Sequence, residues 1–324
     1  WAIPESRRGL ERIRGSSGDE GWTVSWKGRG WSRSFQEYLD FMKAARRIGH
    51  TAGMLVVPSC KYHLPTSHQP EWKTREYEYT TQMLLDAYLI ELPAAATPMP
   101  IEKDFSPTLA GSELATDKAQ ILQWLETIPR LIRSGRGGRS LRVGLKLFNA
   151  LFDDEFQLEM LRTVTTAGDE RPDFLVYANR LFDPRRSLDG HQGIAVGGPD
   201  LSQRNLRVLS EFQRWRSDAG EIVKSLECSA TGDISSGKMA IEYLLRGCAN
   251  FQLHTFYQLP ASEFPMRQGT KTAKALHRLY FDPETGFVPW AMHVANRLGV
   301  SGDSRIRLTD LVDTGRLYEQ STVR

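Results

Sequence analysis

Leu141-Arg-Val-Gly-Leu-Lys-Leu147, then Asp153-Asp-Glu-Phe-Gln-Leu-Glu-Met-Leu-Arg-Thr-Val164, then Phe174-Leu-Val-Tyr-Ala178 decide how this chain is read. The outer two segments have the length and apolar character of buried strands, and the middle one reads as a helix. Apolar strands separated by helices are the mark of a parallel sheet covered on its faces. The same alternation extends toward the C-terminus. A loop, Asn179–Pro199, carries four glycines and feeds a helix from Leu201 to about Arg216. Glu221–Cys228 reads as a strand, Ser236–Arg246 as a helix, Asn250–Thr255 as a strand and Glu263–Leu279 as a helix. Toward the N-terminus, Ala115–Ile132 is helical, with Ile121, Leu122, Leu125, Ile128, Leu131 and Ile132 on one side. Pro129 is expected to kink it or end it early. Tyr88–Leu92 and Ala52–Val57 read as further buried strands, joined by a Pro-rich loop over 58–70 and a helix over Tyr77–Asp86. Phe35, Tyr38, Leu39, Met42 and Ala45 recur at helical spacing, and Pro93–Pro107, with four prolines, reads as a loop.

Six strand–helix units are thus legible, near residues 55, 90, 144, 176, 225 and 252, where a closed (β/α)8 barrel needs eight. Residues 1–34 are rich in Gly, Arg, Ser and Trp, with one short strand expected at Trp22–Trp26, and the tail beyond Gly299 is polar and expected to order only on contact with something else. We therefore expect an N-terminal arm over 1–34, an α/β barrel-like body over 35–285 and a C-terminal extension over 286–324. The chain opens on Trp1, so an N-terminal segment is expected to have been removed or to be absent, a cleaved targeting peptide being one option.

Composition excludes several classes. Of 324 residues, 40% are hydrophobic and 10% aromatic, with a formal charge of +3, which is ordinary for a folded domain. The cationic excess is spread along the chain, which does not point to nucleic acid. No apolar run is long enough to span a membrane. Cys60, Cys228 and Cys248 show neither zinc spacing nor a disulfide framework, and read as buried or incidental thiols. His63 and His68 have no third ligand in view, so no metal is expected. Gly135–Arg139 reads as a solvated turn. Trp22, Trp26 and Trp31 read as an interface group.

The stretch Gly198-Pro-Asp-Leu-Ser-Gln-Arg-Asn-Leu-Arg-Val-Leu209 resembles the G-P-x-I-x-P-x-A-L-R-x-V motif of the dihydroorotate dehydrogenases, FMN-dependent (β/α)8 barrels that oxidise dihydroorotate to orotate. Cys228–Gly247 is similar to that family's GGI-x-S-G…E-x-[IL]-x-x-G segment, and Phe251–Thr255 stands where it has V-Q-V-G-T. Val143–Leu147 is similar to its G-V-K-L, Val176–Asn179 to V-x-x-N, and Glu91-Leu92 falls at E-L-N-x-S-C-P-N. The resemblance covers about residues 30–285, in order.

It implies that Lys146 contacts the flavin ring, that Asn179 binds substrate, and that Gly198, Gly232 and Thr255 belong to the flavin-binding frame. It also exposes departures. The family's base, a Cys or Ser, falls on Ala96, and its flanking asparagines on Pro93 and Pro98. Neither alanine nor proline offers a side-chain proton acceptor, and Thr97 is the hydroxyl nearby. Asp233 replaces a phosphate-cradle glycine, His254 another, and Arg180 a small residue beside the pocket. A carboxylate beside a phosphate dianion is repulsive, by ~1 kcal/mol if solvated and several if dry. About thirty residues precede the matching region where the family has about seventy, so either the barrel is incomplete or residues 1–34 close it in an unusual way. The expectation is a catalytically inactive relative that holds vestiges of a flavin site and serves as a structural subunit, bound to other proteins through 1–34, 58–70, 93–107 and the tail. The alternative is an FMN oxidoreductase with an altered substrate, with Thr97 or water moving protons. A mitochondrial location is expected, with the cytoplasm as the alternative.

Overall fold

The computed structural model describes residues 8–26, 34–61, 99–104, 117–135, 141–188, 190–300 and 305–322. In chain order these form β1 (Arg8–Arg14), β2 (Glu20–Trp26), α1 (Phe35–Thr51), β3 (Ser59–Lys61), β4 (Met99–Asp104), α2 (Lys118–Gly135), β5 (Leu141–Asn149) and α3 (Asp154–Thr165). β6 (Phe174–Leu188), β7 (His191–Val196), α4 (Pro199–Asp218), α5 (Glu221–Lys224), β8 (Glu227–Thr231), α6 (Gly237–Leu245) and β9 (Cys248–Gln252) follow. The chain ends with α7 (Thr255–Gln258), α8 (Lys271–Phe281), α9 (Phe287–Arg297) and α10 (Gly315–Thr322). The parallel ladders, with α2 between β4 and β5 and α6 between β8 and β9, make this an α/β chain of the incomplete TIM-barrel-like kind. It gathers into two compact units, residues 1–9, 25–175 and 181–195, and residues 10–24, 176–180 and 196–324.

In the first unit β3, β4 and β5 run parallel, with Ser59 opposite Glu102 and Met99 opposite Leu141. β5 supplies the core through Leu145 and Leu147, fully buried like Ile121 and Leu125 of α2 and Met160, Leu161 and Val164 of α3. Asp153 caps α3, its side chain accepting from the Phe156 N–H. Buried Gln157 then accepts from Ala150 N at 2.9 Å and donates to Phe148 O at 2.8 Å, tying α3 to the end of β5. Gly144 leaves the space that the Phe174 ring fills, since a Cβ there would lie 2.0 Å from it.

Several expectations change here. Ala52–Val57 is not a buried strand. α1 closes in a Schellman motif, with Gly53 at φ 66° and Met54 N bonded to Gly49 O. Met54 and Leu55 beyond it are 61% and 65% exposed. The strand begins only at Ser59, and the expected loop over 93–107 contains β4. α2 runs through Pro129 without ending there. Residues 179–199 form no loop: β6 and β7 are neighbouring strands, with Gly190 between them at φ 74°.

In the second unit β8 and β9 are parallel neighbours. The strand expected at Glu221–Cys228 is a short helix followed by β8. α6 and α9 bury Ile241, Leu244, Leu245, Ala291, Val294 and Ala295 around Leu311, with Val312 and Tyr318 packed against them. The tail is thus held by the chain's own core. Trp22 packs with Phe256, Leu259 and Phe264 of the same unit, with the Arg12 guanidinium 5.1 Å from its ring.

Candidate functional site

The expected lysine belongs to the first unit. The ladder sets Lys146 opposite Asp104 and Gly144 opposite Glu102. Lys146 Nζ lies 3.7 Å from Glu102 Oε1, and that carboxylate is almost fully buried. The Ser59 hydroxyl donates to the same oxygen at 2.7 Å, and the Tyr38 hydroxyl donates to Ser59 O at 2.9 Å. A buried cation–carboxylate pair with added hydrogen bonds persists because neither charge is left alone in a poor solvent. Lys146 therefore reaches its neighbourhood already partnered by an acid. Sequence reading missed Glu102 because the prolines around it hid β4. One apolar residue followed by three charged ones, Ile101-Glu102-Lys103-Asp104, gives no strand periodicity to set against them.

Gly198, Asn179, Gly232 and Thr255 belong to the second unit. Gly198 precedes α4 at φ 121°, where a Cβ would lie 2.4 Å from Ile13 Cδ1. The start of α4 is covered by the turn between β1 and β2. Asp200 accepts from Ser16 N at 2.7 Å and from its hydroxyl at 2.8 Å, and Gln203 donates to Ser17 and Asp19. The glycine in this resemblance accommodates the chain's own N-terminal hairpin. Asn179 lies within β6, half-buried, and not in a turn.

The turn from β8 into α6 carries a buried polar cluster. Gly232 takes φ 100°, and a Cβ there would lie 2.5 Å from Ala178 O and 2.6 Å from Asn205 Nδ2. Beneath it, Tyr243 donates to Gly232 O at 2.8 Å, while Asn205 Nδ2 lies 3.2, 3.0 and 3.1 Å from Ala178 O, Thr231 O and the Tyr243 hydroxyl. Asn205 is fully buried, and its Oδ1 has no hydrogen-bond partner among the described residues. Burial pushes the Tyr243 phenol up. Asp233 follows at φ 52°, in the left-handed region. Burial pushes its carboxyl from the ordinary 3.8 to about 7, a hydrogen bond with Ser202 pulling the other way. Ser202 Oγ lies 2.9 Å from Pro199 O and 3.1 Å from Asp233 Oδ2. One hydroxyl proton cannot serve both. With Asp233 protonated, its own O–H donates to Ser202, which donates to Pro199 O, and every partner is satisfied.

The start of α6 is occupied as well. Lys238 N donates to Thr285 O at 2.7 Å, and Met239 N to the Ser236 hydroxyl at 3.1 Å. A Cβ on Gly237 would lie 1.9 Å from Phe287 N and 2.4 Å from Leu279 O, so the 279–287 segment sits directly on the helix start. Thr255 opens the four-residue α7, half-buried, and His254 before it is exposed. Ser202, Asn205 and Tyr243 were missed by sequence reading, although Ser202 and Asn205 lie within the quoted Gly198–Leu209 motif.

Ala96, Thr97, Pro93, Pro98 and Glu91-Leu92 lie outside the described residues, as do His63 and His68. Among the described residues no group of three or more His, Cys, Asp or Glu side chains is placed to hold a metal ion. No described helix is long and apolar enough to cross a membrane.

No family model matches the chain, and no curated protein matches it in sequence. Among solved structures, a dihydroorotate dehydrogenase (DHODH) from Eimeria tenella in complex with ferulenol aligns with a TM-score of 0.55 at 13% identity, over 90% of this chain and 71% of that one. The ligand-free DHODH of the same organism aligns with a TM-score of 0.49 at 11% identity, over 72% of this chain and 64% of that one. The chain has a DHODH-like fold. At this identity the likeness establishes the fold alone.

Proposed function

We propose that this protein is a divergent relative of the dihydroorotate dehydrogenases that has given up flavin redox chemistry and serves as a structural subunit of a larger assembly. The observation that carries this reading is the turn from β8 into α6. A flavin phosphate needs backbone N–H donors at an open helix start. Here Lys238 and Met239 have already committed theirs to Thr285 and Ser236, and Asp233 brings a carboxyl that ionises near neutrality to the same turn. These residues do not fit a phosphate dianion. The sequence adds Ala96 at the position where the resemblance puts the base, and the Lys146 charge is already matched by Glu102.

The test is purification of the full chain, titration with FMN, and assay with dihydroorotate. A colourless protein, no binding signal and no orotate are the expected results. A yellow protein with stoichiometric FMN, or turnover above background, overturns the proposal. The assembly half is tested separately, by crosslinking the chain in its native extract: recovery as part of a discrete complex is expected, and recovery as a free monomer counts against it.

A further inference from the structure

Cys228 and Cys248 take no part in the site described above, yet the fold brings them together. They are Cα partners in the parallel ladder of β8 and β9. Immediately after them the register slips, Ser229 pairing with Asn250, so Ala249 is an extra residue in β9. Cys248 Sγ lies 3.5 Å from Cys228 Sγ, and the residues are 0% and 2% exposed. Neighbouring strands lie ~4.8 Å apart, inside the ~4.4–6.8 Å that a disulfide spans between Cα atoms. Closing the bond requires only that the two sulfurs approach, with no separation of the strands.

We infer that Cys228 and Cys248 form a modification site, a dithiol that closes to an intrachain disulfide between β8 and β9 when hydrogen peroxide oxidises it. One sulfur, as thiolate, attacks the peroxide O–O bond and takes up oxygen as a sulfenic acid, releasing water once a proton is returned. The second sulfur displaces that oxygen as a second water, forming the S–S bond. Two S–H bonds and one O–O bond are lost, one S–S bond forms, and the peroxide is reduced to two waters. The pair is guarded in the closed ladder. The hydrogen bond with Cys228 and burial both push the Cys248 thiol well up, Asp313 adding to them and Arg216 opposing. Thiolate, the reactive form, is therefore scarce in the folded chain, so closure is slow and dose-dependent.

The test treats the full chain with hydrogen peroxide, blocks remaining thiols with N-ethylmaleimide and maps tryptic peptides by mass. Peptides 225–238 and 247–267 are expected to be joined, lighter by two hydrogens and separated again by dithiothreitol. Cys228→Ser and Cys248→Ser each remove the link, and Cys60→Ser leaves it. Mapping of the unsubstituted chain decides the matter even where a serine variant fails to fold. Both peptides recovered separately, alkylated or carrying sulfinic or sulfonic acid, would overturn the inference, as would a link made to Cys60.

Discussion

Asp233 is held in the left-handed region, which asparagine tolerates as aspartate does, so Asp233→Asn changes charge and little else. The carboxyl titrates near 7 in the folded chain against an ordinary 3.8. Below both values the two states are equally protonated and the group costs nothing. Between them the folded chain keeps a proton that the unfolded chain has released, so stability falls as pH rises through this window and levels off above about 7. Asparagine, which can bond to Ser202 at any pH, removes that slope. The variant is expected to be more stable by ~1–3 kcal/mol near pH 8 and by clearly less near pH 5. Urea midpoints at the two pH values check it, and an equal difference at both would refute the assignment. The left-handed turn was legible in the glycine motif, but the Ser202, Asn205 and Tyr243 network was not. Burial of a polar side chain on α4 depends on which face meets the β8 turn, and a one-dimensional motif does not state that.

At the scale of elements, the sequence was most readable where periodicity and capping agree. Asp153 with α3, Ser236 with α6, and the apolar strand β5 came out close to their expected places, because local propensity and tertiary burial point the same way there. It failed where short-range chemistry was overridden. The prolines of 93–107 concealed β4, whose pairing with β3 and β5 places Pro100 near the strand start, where a missing donor is tolerated. The Asp189-Gly190 dipeptide, a strong hairpin signal, was passed over as part of a loop. Two consequences can be measured. Lys146→Met, which takes from buried Glu102 its ion pair with Lys146, is expected to destabilise the chain by ~1–3 kcal/mol, and Lys146→Met with Glu102→Leu together by distinctly less. A denaturation cycle over the four proteins tests this, and additive losses would show that the pair is not coupled. Leu311, fully buried among α6 and α9, anchors a tail whose composition suggested no internal role. Leu311→Ala is expected to cost ~2–5 kcal/mol and to expose the 305–322 segment to limited proteolysis. An unchanged melting curve and digestion pattern would show that the tail is merely laid on the surface.

On the scale of the whole molecule, what most needs explaining is apolar area left in water. In the second unit Leu276, Tyr280 and Phe281 of α8 and Val288 and Met292 of α9 are exposed, Phe281 at 58% and Met292 at 53%. Tyr280 and Phe281 stand 6.1 Å apart, ring to ring, and Tyr280 stands 6.0 Å from Phe287 at the start of α9, so these three rings are clustered. Contiguous apolar patches on a soluble chain mark contact surfaces. Lys271, Lys274 and Arg278 accompany them on α8, which carries no carboxylate, so under the assembly proposal a partner docking here would be apolar and flanked by acids. These side chains contribute little to folding, because they are not buried in the chain itself. Phe281→Asp combined with Met292→Asp is therefore expected to leave the unfolding midpoint within ~0.5 kcal/mol of the parent. Binding of a hydrophobic dye should fall at the same time, and under the assembly proposal the chain should no longer be recovered with its partners from the native extract. If the double substitution instead unfolds the chain, these residues belong to its core. If it leaves both dye binding and recovery intact, the assembly surface lies elsewhere on the molecule.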